Sequence, residues 1–210
     1  MGWAKLGLRN KASVRKSLAC GLALSVSLLA GCAVLAPSAP PSVYDLALSS
    51  AVTSTSGSTR SQILVTEPKV LTSLDNDRIV IRPSAAQIAF FGDVRWSDRL
   101  PRLVQLYLSR AFSETKGARA VGLPGDGLII DHQLLFDLRS FQIEPSGNAF
   151  NARVEIAVRI LNDKNGRVIA SKTFSASQPS ADDAVKAVAA LNGALDDVAG
   201  ELIAWVYGKI

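Results

Sequence analysis

From Phe150 to Ile160 the chain alternates: Phe150, Ala152, Val154, Ile156, Val158 and Ile160 have one parity, Asn151, Arg153, Glu155 and Arg159 the other. Successive side chains of a strand point to opposite faces, so this stretch predicts a strand with one buried and one wet side. Asp163-Lys164-Asn165-Gly166 follows, and its Asn-Gly pair suits the positive φ of a tight hairpin. Val168 to Ala176 then returns as the partner strand. Upstream, Pro124-Gly125-Asp126-Gly127 reads as a loop. After it, Leu128, Ile130, His132, Leu134, Phe136 and Leu138 make the apolar face of a long strand. The phase then slips to Phe141 and Ile143, which predicts a β-bulge near Arg139-Ser140. These three strands form an antiparallel C-terminal meander.

A meander with one apolar face needs cover, and two amphipathic stretches supply it. Leu100, Leu103, Val104, Tyr107, Leu108, Ala111 and Phe112 recur at helical spacing. Ser97 is the expected cap, with Asp98 at the positive end of the dipole, Pro101 in the first turn and Gly117 as the stop. The second helix is expected to start at Pro179-Ser180, with Ser180 as cap and Asp182 and Asp183 in the first turn. Its stripe runs through Ala184, Val188, Leu191, Leu195, Val198, Leu202 and Trp205. Shorter strands are expected at Val43–Leu48, Ile63–Val65, Arg78–Arg82 (ended by Pro83) and Gln87–Phe91, the last followed by a Gly92-Asp93 turn. Residues 49–61 are nearly all Ser, Thr, Gly and Ala and read as a mobile loop. The fold class is α/β: a single domain, residues 43–210, with a mixed or antiparallel sheet, the meander, and two main helices packed on it.

The N-terminal segment reads differently. Lys5, Arg9, Lys11, Arg15 and Lys16 precede an apolar or small run from Ser17 to Ala30, which ends in Leu29-Ala30-Gly31-Cys32. Charge, a run of about 14 apolar residues and small residues at the end are the order of a secretory signal peptide, too short to span a bilayer. The closing tetrad resembles the lipobox of bacterial lipoproteins. That resemblance implies cleavage between Gly31 and Cys32, a diacylglycerol on the Cys32 sulfur and an acyl chain on its freed amine. Residues 1–31 are thus read as signal peptide. Residues 32–42, with three prolines after the cysteine, are read as an extended tether.

Removing the signal changes the charge argument. The whole chain is +5, with 23 Lys and Arg against 18 Asp and Glu. Five of those cations lie in residues 1–31, which leaves 18 basic and 18 acidic side chains in residues 32–210. The basic footprint that nucleic-acid binding needs is therefore not expected. Cys20 leaves with the signal and Cys32 is committed to lipid, so no disulfide or thiolate metal site is expected, although export implies an oxidising compartment. One histidine, His132, rules out an all-histidine metal site. No second apolar run approaches a membrane span.

Little in the sequence suggests catalysis. There is no Gly-x-Ser-x-Gly elbow, phosphate-binding glycine loop or His-Glu-x-x-His pattern. His132 lies on the apolar parity of its strand and reads as a core histidine. Asp131 and Asp137 take the opposite parity, with Gln133 and Arg139 between them, as on a solvated or partner-facing sheet surface. Asp182-Asp183 and Asp196-Asp197 read as a helix start and a solvated helix face rather than a cation site. Phe90-Phe91 and Trp96 read as packing under the first helix, or else as a surface meeting a partner or lipid. No catalytic, cofactor-binding or metal residue is assigned.

Several stretches together resemble the ABC-type transport auxiliary lipoprotein family, which accompanies MCE-domain systems moving lipids between membranes. They are the lipobox, Tyr44-Asp45-Leu46, Ile79-Val80-Ile81-Arg82-Pro83 and Trp96-Ser97-Asp98-Arg99-Leu100-Pro101-Arg102-Leu103-Val104-Gln105. The later ones are Leu135-x-Asp137-Leu138-Arg139-x-Phe141, Ala189-Ala190-Leu191-Asn192 and Trp205-Val206. A departure is the short segment between Phe90 and Trp96, where relatives carry a longer, Tyr-rich strand pair. The resemblance implies an α/β fold and a non-enzymatic role. The implied protein is a lipid-anchored periplasmic docking subunit for an MCE protein whose permease and ATPase sit in the inner membrane. It also allows a homo-oligomer. Ala33, where Asp would signal inner-membrane retention, implies the periplasmic face of the outer membrane. The expected function is thus intermembrane phospholipid transport and outer-membrane integrity. An envelope-assembly cofactor that activates cell-wall synthesis is the alternative.

Overall fold

The computed structural model describes residues 40–210. Their elements are, in order, β1 (Ser42–Tyr44), α1 (Ser50–Thr53), β2 (Gln62–Val65), β3 (Arg78–Ser84) and β4 (Gln87–Trp96). After these come α2 (Leu100–Glu114), β5 (Ala120–Gly122), β6 (His132–Ser146), β7 (Ala149–Asn162), β8 (Arg167–Ser180) and α3 (Ala184–Tyr207). The strands form one eight-stranded mixed sheet. Cys32 and Gly31, the signal segment and most of the tether lie outside the described residues.

β6 is the spine of the sheet. Along one edge β7 pairs with it antiparallel over its whole length, and β8 pairs antiparallel with β7. The other edge is shared by two parallel strands in sequence, β2 against His132–Leu134 and β3 against Gln142 and Ile143. Lys69 bridges to Asp137 between them. β5 pairs with β2, β4 with β3, and β1 with β4. The bulge falls between Leu138 and Ser140. An extra residue there flips the parity, so Leu138 and Phe141, three apart, both reach the core.

Both longer helices cover the same side of this sheet. α3 packs on β7 and β8, and α2 against β2 and β5. Under α3, Ala152, Val154, Ile156, Val158 and Ile160 are fully buried, as are Leu191, Leu195 and Leu202. A completely buried aliphatic side chain of this kind contributes about 1.5–3 kcal/mol relative to an exposed one. Edge-to-face aromatic pairs lock the two ends of the layer: Trp96 on Phe141 at 5.8 Å and Trp205 on Phe174 at 5.6 Å.

The structure corrects several expectations. Residues 49–61 are not a free loop, because Val52, on the single turn α1, is 1% exposed in the core. Pro83 does not end its strand. β3 runs to Ser84, and β6 pairs with it only through Ile81, so Pro83 removes no donor from that ladder. Gly92-Asp93 is not a turn but an irregular stretch inside β4, which continues to Trp96. β1 is only three residues long.

The helix ends differ as well. Ser97 does not cap α2; its N–H donates to the Tyr44 carbonyl and Arg99 takes the cap position. Lys116, at φ 53°, ends the helix. Gly117 serves close packing instead, since a Cβ there would lie 2.5 Å from both the Gly57 carbonyl oxygen and the Tyr207 ring. Leu128–Ile130 fall outside β6, leaving Ile129 81% exposed. β8 extends through Ser180, and the cap of α3 is Asp183, whose carboxylate accepts from the Lys186 N–H at 2.9 Å.

Candidate functional site

With both longer helices on one side, the other face of the meander has no helix over it. Its side chains lie in rows fixed by the strand register. One row is Leu135, Arg159 and Ser171, the next Asp137, Ala157 and Thr173, and the next Ser140, Glu155 and Ser175. Gln142, Arg153 and Ser177 follow. The bulge residue Arg139 swings over this surface. Its guanidinium donates to Asp137 at 3.3 Å, lies 3.7 Å from Glu155 and reaches the Thr173 hydroxyl at 3.4 Å. Arg153 closes the network on Glu155 at 2.8 Å.

Ala157 projects only a methyl group among these long side chains. The result is an open depression of about 730 Å³, edged by Lys69, Asp137, Arg139, Arg159 and Thr173. Lys69 and Arg159 enter no ion pair among the described residues. Both signs of charge are present and half-exposed. Such a surface can meet another hydrated protein surface by many weak, specific polar contacts.

His132, at the start of β6, is apart from this face. It is half-buried, and burial pushes its pKa below the ordinary value against the smaller opposing pull of Asp131. Its Nδ1 has no hydrogen-bond partner among the described residues. Asp131 accepts the Gln62 N–H and pairs with Lys164, and that hydrogen bond in particular holds its carboxyl below the usual range. Members of both carboxylate pairs have protein partners instead. Asp183 is a cap, and Asp197 accepts from Gln178. Asp196, expected on a solvated helix face, instead accepts from the Tyr107 hydroxyl beneath α2. Desolvation above all, then that carboxylate, raises the Tyr107 pKa.

Asn192 is the polar residue whose role the spacing did not disclose. Its amide donates to the Ala47 carbonyl and its oxygen accepts the Ala47 N–H, both at 2.8 Å, so α3 holds the segment after β1. It also donates to Asp196 at 3.3 Å. Arg99 likewise leaves its helix end to pair with Asp75 and with Glu67. Phe90 and Phe91, left open by the sequence, are half-buried at the far edge, with the Arg78 guanidinium 3.6 Å over the Phe90 ring. Among the described residues no helix is long and apolar enough to cross a membrane.

The chain is 35% identical over 146 residues to an uncharacterized protein of Bradyrhizobium diazoefficiens. That alignment takes 68% of this chain but 38% of the relative, so the chain spans well under half of the relative's length. The fold is similar to that of the Xanthomonas campestris protein XCC0632, of the DUF330 family. There the TM-score is 0.74 and the identity 25%, over 80% of this chain and 95% of that one. A second solved structure, of an uncharacterized protein, shares the fold with a TM-score of 0.63 at 15% identity, over 80% and 99% of the two chains. The family model described as ABC-type transport auxiliary lipoprotein component matches residues 44–203, which run from the end of β1 to the last turns of α3. The chain therefore belongs to the ABC-type transport auxiliary lipoprotein component family.

Proposed function

We propose that this protein is a non-enzymatic docking lipoprotein. In this reading it is held by lipid on Cys32 at the periplasmic face of the outer membrane. There it joins an MCE-domain subunit to the envelope in front of an inner-membrane permease and ATPase, in intermembrane phospholipid transport. The family match over residues 44–203 carries the reading. The helix-free face of the meander supports it, because its central rows offer charges of both signs and no large exposed apolar side chain, as a hydrated protein partner requires. Cleavage before Cys32, a tether to residue 42 and a domain over 43–210 complete the proposed organisation. Ala33 after the lipidated residue favours the outer membrane over the inner. Pull-down of the detergent-solubilised protein is expected to recover an MCE protein identified by mass. Recovery of none, under conditions that keep permease and ATPase together, refutes the reading.

A further inference from the structure

The β3–β4 hairpin has a cationic and apolar tip, and the first acid after it on β4 is Asp93. From Arg78 to Phe91 it contains two arginines, several large apolar side chains and no acid. Neither Arg78 nor Arg82 forms an ion pair among the described residues; Arg78 covers the Phe90 ring and Arg82 donates to the Ala85 carbonyl at 3.0 Å. Ile88 is 40% exposed, with half-buried Phe90 next to it on the same face of β4. Apolar and aromatic groups flanked by unpaired cations suit the boundary between anionic headgroups and acyl chains.

The route of the chain selects the occupant. β1 runs parallel to β4, with Ser42 opposite Val94 and Tyr44 opposite Trp96. Travelling back from Tyr44 to Ser42 therefore leads along β4 toward the hairpin tip. Val94 stands seven residues from Gln87 at that tip, about 23 Å of strand at ~3.3 Å per residue. The ten residues from Cys32 to Ser42 reach about 33–36 Å when extended, enough to bring the anchor level with the tip. At the other end of the sheet, before β6, Ile129 stands 81% exposed and Asp131 is already paired with Lys164, so that end serves as the exposed reference.

We infer that the β3–β4 hairpin, through Ile88 and Arg82, lies on the surface of the same membrane that holds the Cys32 lipid. It orients the domain so that the Ile129 end points away. The inference rests on the proposed anchor, and the test separates the two. Full-length protein is exported, processed and reconstituted into phosphatidylethanolamine–phosphatidylglycerol vesicles. Wild type is expected to float with the vesicles and take up no thiol probe, since the Cys32 sulfur is then a thioether. Labelling of wild type, or failure to float, refutes the anchor and the inference with it.

Ile88→Cys and Ile129→Cys then each carry a single polarity-sensitive fluorophore at an exposed site. The Ile88 probe is expected to brighten by about two-fold or more on vesicles and to be quenched by spin-labelled lipid, as interfacial burial implies. The Ile129 probe is expected to stay in water, and Arg82→Glu to reduce the Ile88 response. Floating protein with an Ile88 probe as wet as the Ile129 probe overturns the hairpin contact alone. Shielding of Ile88 that grows with protein concentration and ignores lipid assigns the surface to a second copy, and equally overturns it.

Discussion

The two faces of the meander share one backbone and differ in almost everything else. On β7, Val154 and Ile156 lie under α3 with no exposure, while Arg153 and Glu155, one residue away, form an open ion pair. The buried side collects the stabilising area; the open side contributes little, because exposed pairs are worth about 0–1 kcal/mol. A face that adds so little to folding is free to be shaped by contacts with other molecules. The same separation explains the family-like sequence blocks. Trp96, Leu191, Asn192 and Trp205 hold the covered layer together, whereas Asp137 and Arg139 lie on the open one.

The comparison can be broken by mutation, from the strongest effect to the weakest. Phe141→Ala removes a ring that is 1% exposed and T-stacked on Trp96, and should lower the unfolding free energy by about 3–5 kcal/mol in a denaturant titration. Tyr107→Phe leaves the part-buried Asp196 carboxylate without its hydroxyl donor, for a loss of about 1–3 kcal/mol by the same titration. Asp183→Ala deletes the cap of α3 and should cost about 1 kcal/mol, while Asp182→Ala, which caps nothing, should cost far less. Arg153→Ala on the open face should stay within about 1 kcal/mol. An open-face substitution that destabilises as much as Phe141→Ala would erase the distinction.

pH sharpens it further. The His132 pKa is lowered in the folded chain, so below the ordinary histidine value the unfolded chain binds more protons. Its stabilising effect is therefore complete above about pH 6.5 and declines as pH falls from there toward the lowered folded value. Melting temperature should drop between pH 7.5 and pH 5.5, and His132→Leu should shrink that drop. An undiminished drop in the variant would assign it to other groups.

Much of this architecture was legible because period and parity report burial directly. The meander, its bulge and both helical stripes follow from which residues must avoid water. The helix ends were misplaced because several residues could cap each one. Tertiary bonds decided the matter, Ser97 being drawn to Tyr44 and Asp183 winning over Ser180. Residues 49–61 looked free because their composition hides one buried valine and one glycine, Gly57, packed against Tyr207. The open face was only half legible. Parity marked Asp137 and Arg139 as outward, but the depression over Ala157 depends on strand register, which joins residues 12 to 68 positions apart.

The most direct test of the division is photo-crosslinking in cells, with a photoreactive amino acid at Thr173 on the open face or at Glu201 on the solvent side of α3. The account predicts an adduct between the Thr173 position and the MCE-domain subunit, identified by mass, and none from Glu201. An adduct from Glu201 and none from Thr173 would contradict it.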